Sequence, residues 1–67
     1  MTERFCFKSE HGYLVAWRYL IKQQLTFTYS RSAQTVSVCS DDMDKWDYRD
    51  TTEFLGMLLA DDRRRVA

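Results

Sequence analysis

Residues 25–40 read LTFTYSRSAQTVSVCS, and the alternation of their side chains decides the fold. Leu25, Phe27 and Tyr29 alternate with Thr26, Thr28 and Ser30; Val36 and Val38 alternate with Thr35, Ser37 and Cys39. A period of two puts the apolar set on one face of a strand and the hydroxyls on the other. Two strands, 25–31 and 35–40, joined by the polar link Ser32-Ala33-Gln34, make a β-hairpin. No Asn-Gly or Asp-Gly pair fixes its turn type.

Upstream, residues 2–8 (TERFCFK) alternate in the same way, with Phe5 and Phe7 opposite Cys6, and predict another strand. The period then changes. Ser9 suits a helix N-cap and Gly12 is a weak spot just inside it. Tyr13, Leu14, Trp17, Leu20, Ile21 and Gln24 share one helical face, which predicts an amphipathic helix over 10–24.

Downstream, residues 41–50 (DDMDKWDYRD) read as an acidic connector carrying Met43, Trp46 and Tyr48. Asp50 and Glu53 resemble a capping box, which starts a second helix at Thr51. Its apolar face is Phe54, Leu55 and Leu58, widened by Met57 and Leu59, and it ends near Asp62. Arg63, Arg64 and Arg65 then favour a helix C-terminus and open a basic tail over 63–67.

The order strand, helix, strand, strand, helix predicts one α+β domain over residues 1–67. It is a small two-layer βαββα arrangement, a truncated ferredoxin-like pattern, with an antiparallel-rich sheet and both helices on one face. A right-handed crossover makes the first and third strands neighbours, in the order 2-3-1. The first strand is then an open edge unless Trp46–Arg49 adds a fourth strand. An open edge invites a partner strand or a homodimer through the first strand.

Composition bounds the function. Leu, Ile, Val and Phe supply fifteen of the 67 residues, close to the level below which disorder is expected, but ten aromatics and the absence of proline favour a compact fold. A chain this short buries only about 60% of its unfolded surface, so a partner would add needed stability. No apolar run approaches membrane-spanning length and no basic stretch precedes an apolar one, which predicts a cytoplasmic protein without a signal peptide. Two cysteines in that setting predict free thiols.

The formal net charge is zero, but it is segregated. Residues 1–40 sum to +3, residues 41–62 to −6, and Arg63–Arg65 to +3. A general polyanion binder carries a net positive domain, because phosphate neutralisation supplies most non-specific affinity. A regulatory nucleic-acid binder using Arg18, Lys22, Arg31 and Arg63–Arg65 is therefore the second choice.

Cys6, Cys39 and His11 are the soft metal ligands. If the first and third strands pair, the two thiols sit side by side, and Asp41 or Asp42 completes a zinc set or a thiol sensor. No Cys-x-x-Cys or His-x-x-x-His spacing supports this. A Cys–His nucleophile pair needs a base in reach, an orienting group and a pocket, none of which the spacing supplies. The aspartates of 41–50 fail the calcium-loop pattern, since Asp47 stands where glycine is required. The expectation is a non-enzymatic chain without cofactor or metal.

The leading contact surface is Asp41, Asp42, Asp44, Asp47, Trp46 and Tyr48. Carboxylates at this spacing imitate a row of phosphates towards a basic groove, with the aromatics as anchors. The competing arrangement folds Trp46 back to cap the core and leaves the aspartates as a solvated loop. A second surface is the first helix, where Val15 and Tyr19 lie one turn apart, flanked by Arg18 and Lys22; isolated exposed apolar residues are equally ordinary. These features predict a small protein-binding module, an inhibitor or adaptor of a basic, nucleic-acid-handling machine. Phages and mobile elements encode proteins of this size and charge layout against CRISPR or restriction complexes, a comparison by analogy alone.

Overall fold

The computed structural model describes residues 1–66. Its elements are β1 (Thr2–Cys6), α1 (Glu10–Lys22), β2 (Thr28–Ser30), β3 (Thr35–Cys39), a 3-10 turn over Ser40–Asp42, and α2 (Lys45–Val66). The three strands form one antiparallel sheet in the order β1-β3-β2, so β1 and β3 are neighbours.

Register sorts the faces. Phe5 stands opposite Val36, Glu3 opposite Val38, and Tyr29 opposite Val36 from the other side. Phe5, Val36 and Val38 are buried with Phe7, Tyr13, Ala16, Leu20 and Leu55, so this face carries both helices. The opposite face presents Arg4, Thr28, Thr35 and Ser37 and has no covering layer among the described residues. Burying this core is the main favourable contribution to a domain of this size.

The strands are shorter than the alternation implies. β1 ends at Cys6 rather than residue 8, and Phe7 continues inward as coil, its N–H donating to the Gln34 carbonyl at 2.9 Å. β2 keeps only Thr28–Ser30 of the expected 25–31. Leu25 and Phe27 are half-buried at its approach, and Tyr29 is 58% exposed although it shares the Val36 face. A three-residue edge strand overhangs the helices, so its apolar side is only partly covered. The hairpin turns through Arg31–Gln34, with the Gln34 N–H donating to the Arg31 carbonyl at 3.2 Å and Gln34 in the left-handed region at φ 55.

Helix α1 begins as expected, with Ser9 Oγ accepting from the Gly12 N–H at 3.0 Å. It ends two residues early. Gln24 takes φ 57, and the N–H groups of Gln24 and Leu25 donate to the carbonyls of Ile21 and Leu20. That is a Schellman closure with glutamine where glycine is usual. The buried side of α1 is Gly12, Tyr13, Ala16 and Leu20, rotated away from the expected face, and Ile21 is 51% exposed. Gly12 lets α2 approach closely, since a Cβ there would collide with the Asp62 carboxylate.

Helix α2 corrects the expected acidic connector and the expected start at Thr51. It begins at Lys45, and Asp44 rather than Asp50 is the cap: Asp44 Oδ1 accepts from the Asp47 N–H at 2.8 Å and its carbonyl from the Tyr48 N–H at 3.0 Å. Trp46–Arg49 therefore lies in a helix and adds no strand to the sheet. Asp44 at the cap and Asp47 in the first turn stand at the positive end of the helix, where acidic side chains are favoured. The helix also runs past Asp62 through the arginines, so the expected basic tail is its last turn, and Ala67 lies outside the described residues. No helix is long and apolar enough to cross a membrane.

Candidate functional site

The acidic residues gather where the 3-10 turn meets α2. Ser40 is held by Met1, whose carbonyl accepts from the Ser40 N–H at 2.8 Å and whose ammonium donates to Ser40 Oγ at 3.0 Å. From this anchored turn, Asp41, Asp42, Asp44, Asp47 and Asp50 are all exposed. Trp46 is 66% exposed among them. The arrangement in which Trp46 caps the core is thereby excluded. In the first turn of α2 its side chain lies on the side away from Leu55, and Tyr48 goes inward in its place.

Crowding of like charge marks the cluster. The Asp47 carboxyl titrates above its ordinary range, chiefly because of the Asp44 charge, then slight desolvation, the hydrogen bond with Asp44 and the Asp50 charge. Tyr48 is half-buried against the core. Burial raises its hydroxyl pKa first, with the charges of Glu3 and Cys39 adding to the effect. No hydrogen bond of acceptable geometry reaches that hydroxyl. Tyr48 is therefore a packing residue of the site and Trp46 its outward aromatic.

The second expected surface does not form as drawn. Tyr19 stacks on Phe54 of α2 with ring centroids 4.1 Å apart. Val15 is half-buried and lines a cleft with His11, Leu58, Asp61, Asp62 and Arg65. Arg18 and Lys22 are exposed, but Ile21 is the apolar residue beside them. Of the expected pair, Tyr19 is taken up by the contact between helices, while Val15 stays at the edge of that cleft.

The thiols are not neighbours either. Cys6 stands opposite Thr35 and Cys39 opposite Thr2, at the two ends of the β1–β3 ladder. Four residues of strand separate them by about 13 Å, beyond disulfide or shared-metal reach. Among the described residues no group of three or more His, Cys, Asp or Glu side chains is placed to hold a metal ion. The expected basic set is also divided: Arg31 pairs with Glu10 at 3.4 Å and Arg65 with Asp61 at 2.9 Å.

Two features escaped the sequence. Asp62 is buried in α2 and ties down the start of α1, accepting from the Lys8 N–H at 2.7 Å, the Ser9 N–H at 3.3 Å and the Ser9 hydroxyl. Burial would raise its pKa, yet these hydrogen bonds and the nearby His11 charge hold it below the usual carboxylate range. Only the glycine inside a helix hinted at such a close approach. The other feature is a shallow groove of Tyr13, Leu14, Trp17, Tyr29 and Arg31 beside β2, where Trp17 meets Tyr29 edge-on at 6.1 Å. The rotation of α1 creates it, and no local signal specifies that rotation.

Comparisons with protein-family models, with curated proteins and with solved structures return no match to this chain.

Proposed function

We propose that this chain is a non-enzymatic module that binds another protein, a basic and nucleic-acid-handling one, through the acidic start of α2. The observation that carries the reading is Trp46, two-thirds exposed on a capped helical turn, in a segment whose Asp41, Asp42, Asp44, Asp47 and Asp50 are exposed as well. An aromatic of this size left in water is a characteristic binding anchor, and aspartates around it steer a cationic partner and discriminate against others. The Asp44 cap and the Met1–Ser40 hydrogen bonds hold the surface in place before contact, which lowers the ordering cost of association. A row of carboxylates on a small fold fits the mode of an inhibitor or adaptor that occupies a phosphate-binding groove.

The frame we read as the split β-α-β of a ferredoxin-like sheet without its last strand. The position of β3 between β1 and β2, antiparallel to both, supports this.

Affinity capture with three baits tests the function: the wild-type chain, Trp46→Ala, and the fourfold variant with Asn at 41, 42, 44 and 47. The reading expects a set of basic proteins held by the wild type and lost from both variants. Proteins held equally by all three baits would refute it.

A further inference from the structure

The side of α2 facing away from the core carries Trp46, Asp50, Glu53, Met57, Ala60 and Arg64, all exposed. Steps of three and four residues keep these six on one stripe. Trp46 and Met57 are two of the most exposed large apolar residues of the chain, at 66% and 71%. On the stripe itself Asp50 and Glu53 come first and Arg64 last; Asp47 and Arg63 flank its two ends, about 24 Å apart along the axis, and Arg49 lies beside it, paired with Glu53 at 3.5 Å. Among the described residues neither Arg63 nor Arg64 makes an ion pair, whereas Arg65 is held by Asp61.

A charge gradient of this kind complements itself when reversed. We infer that a second copy of the chain docks along this stripe, α2 against α2, antiparallel about a twofold axis near residue 55. Trp46 then lies level with Arg64 of the second copy, whose guanidinium stacks on the indole face within reach of Asp50 one turn along, while Asp47 and Arg63 of the second copy lie at one height on opposite flanks. Met57 meets the aliphatic stem of Glu53, whose carboxylate Arg49 already holds at 3.5 Å. The twofold axis makes each contact twice. A parallel pair would set aspartate on aspartate and arginine on arginine.

Two observations agree with this pairing. Gly56 borders the stripe, and a Cβ there would meet nothing within 4 Å, so packing inside the chain gives no reason for a glycine in mid-helix. A second backbone approaching that side gives one. Zero net charge also leaves little overall repulsion between copies. The β1 edge is the weaker site for a second copy, since full-length antiparallel pairing of two β1 strands opposes Arg4 to Arg4.

The pairing does not rest on the proposed heterologous partner. It covers Trp46 and Asp47, so the two associations exclude each other, and it is measured on the pure chain, where failure of the partner reading has no effect. The test combines sedimentation over a concentration series with cysteine cross-linking. In a Cys6→Ser, Cys39→Ser background, Asp50→Cys and Ala60→Cys chains are mixed under mild oxidation, with circular dichroism verifying their fold. The expected result is a monomer–dimer equilibrium weakened by salt, and mixed disulfides forming faster than either chain with itself. Asp47→Arg, Asp50→Arg chains and Arg63→Asp, Arg64→Asp chains should each be monomeric and should form the dimer again when mixed. A wild-type chain that stays monomeric at millimolar concentration and low salt would overturn the inference. So would homotypic cross-links forming as fast as mixed ones.

Discussion

Gly12 and Asp62 are fitted to each other: a Cβ built on Gly12 would stand 2.5 Å from Asp62 Oδ1 and 3.2 Å from the ring of Phe7. The carboxylate so accommodated accepts from the Lys8 and Ser9 N–H groups and from the Ser9 hydroxyl, fastening the end of β1 and the start of α1 to α2. Gly→Ala inside a helix ordinarily gains about 0.5–1 kcal/mol. Here Gly12→Ala should destabilise instead, because the carboxylate must leave its donors. Asp62→Ala should cost about 3 kcal/mol by leaving two part-buried N–H groups and the Ser9 hydroxyl without their acceptor. Urea midpoints of the two variants check both.

The same clamp sets an acid limb. The folded pKa of Asp62 is depressed, so its contribution is fully present above the unfolded carboxylate range, about pH 4, and is lost as pH falls through the lower folded value. Stability measured from pH 6 down to pH 2 should fall, and Asp62→Asn should flatten that fall while lowering the plateau.

Phe5 and Phe27 test the layering. Phe5 is 5% exposed beside Val36, so Phe5→Ala should cost about 3–5 kcal/mol and unfold much of the population. Phe27 is half-buried outside the regular strand, tilted against Tyr29 at 5.6 Å, and its truncation should cost clearly less. Equal losses in thermal melts would contradict the short β2.

Gln24 offers a gain. It holds a left-handed φ of 57 at the close of α1, a conformation that costs a side-chain-bearing residue about 1 kcal/mol and glycine almost nothing. Gln24→Gly should raise the melting temperature by a few degrees. Tyr48→Phe should be neutral or stabilising, since it removes a shielded hydroxyl without a hydrogen-bond partner.

The strand faces and the Ser9 cap were legible because each follows from a local pattern: period two in residues 35–39, and a hydroxyl placed to accept from the Gly12 N–H. The start of α2 was not. Two cap signals compete six residues apart, and an Asp-rich segment looks like a loop until the dipole of a long helix is counted in its favour. The buried face of α1 was not legible because hydrophobic periodicity gives Gly12 no weight, although its smallness is what admits Asp62 of α2. Trp46 was a candidate contact residue by type alone, and its exposure follows from the helix phase, which depends on where α2 begins.

The acidic surface carries its own pH signature. Asp44 and Asp50 raise the Asp47 pKa in the free chain, and a cationic partner would lower it. Affinity should be full above the free value and fall as pH drops through it towards the bound one. Calorimetry in buffers of different ionisation enthalpy would register the proton released on binding at pH values between the bound and free pKa of Asp47.

Binding of the captured partner at low salt, wild type against the fourfold Asn variant and Trp46→Ala, tests the central claim most directly. Both variants should melt with the wild type, since the altered side chains are all exposed and asparagine in place of the Asp44 cap still accepts from the Asp47 N–H. The account predicts slower association and a flatter salt dependence for the Asn variant. It predicts faster dissociation, with a loss of about 2 kcal/mol or more, for Trp46→Ala. Undiminished affinity in both would contradict it and leave the start of α2 as a solvated helix end.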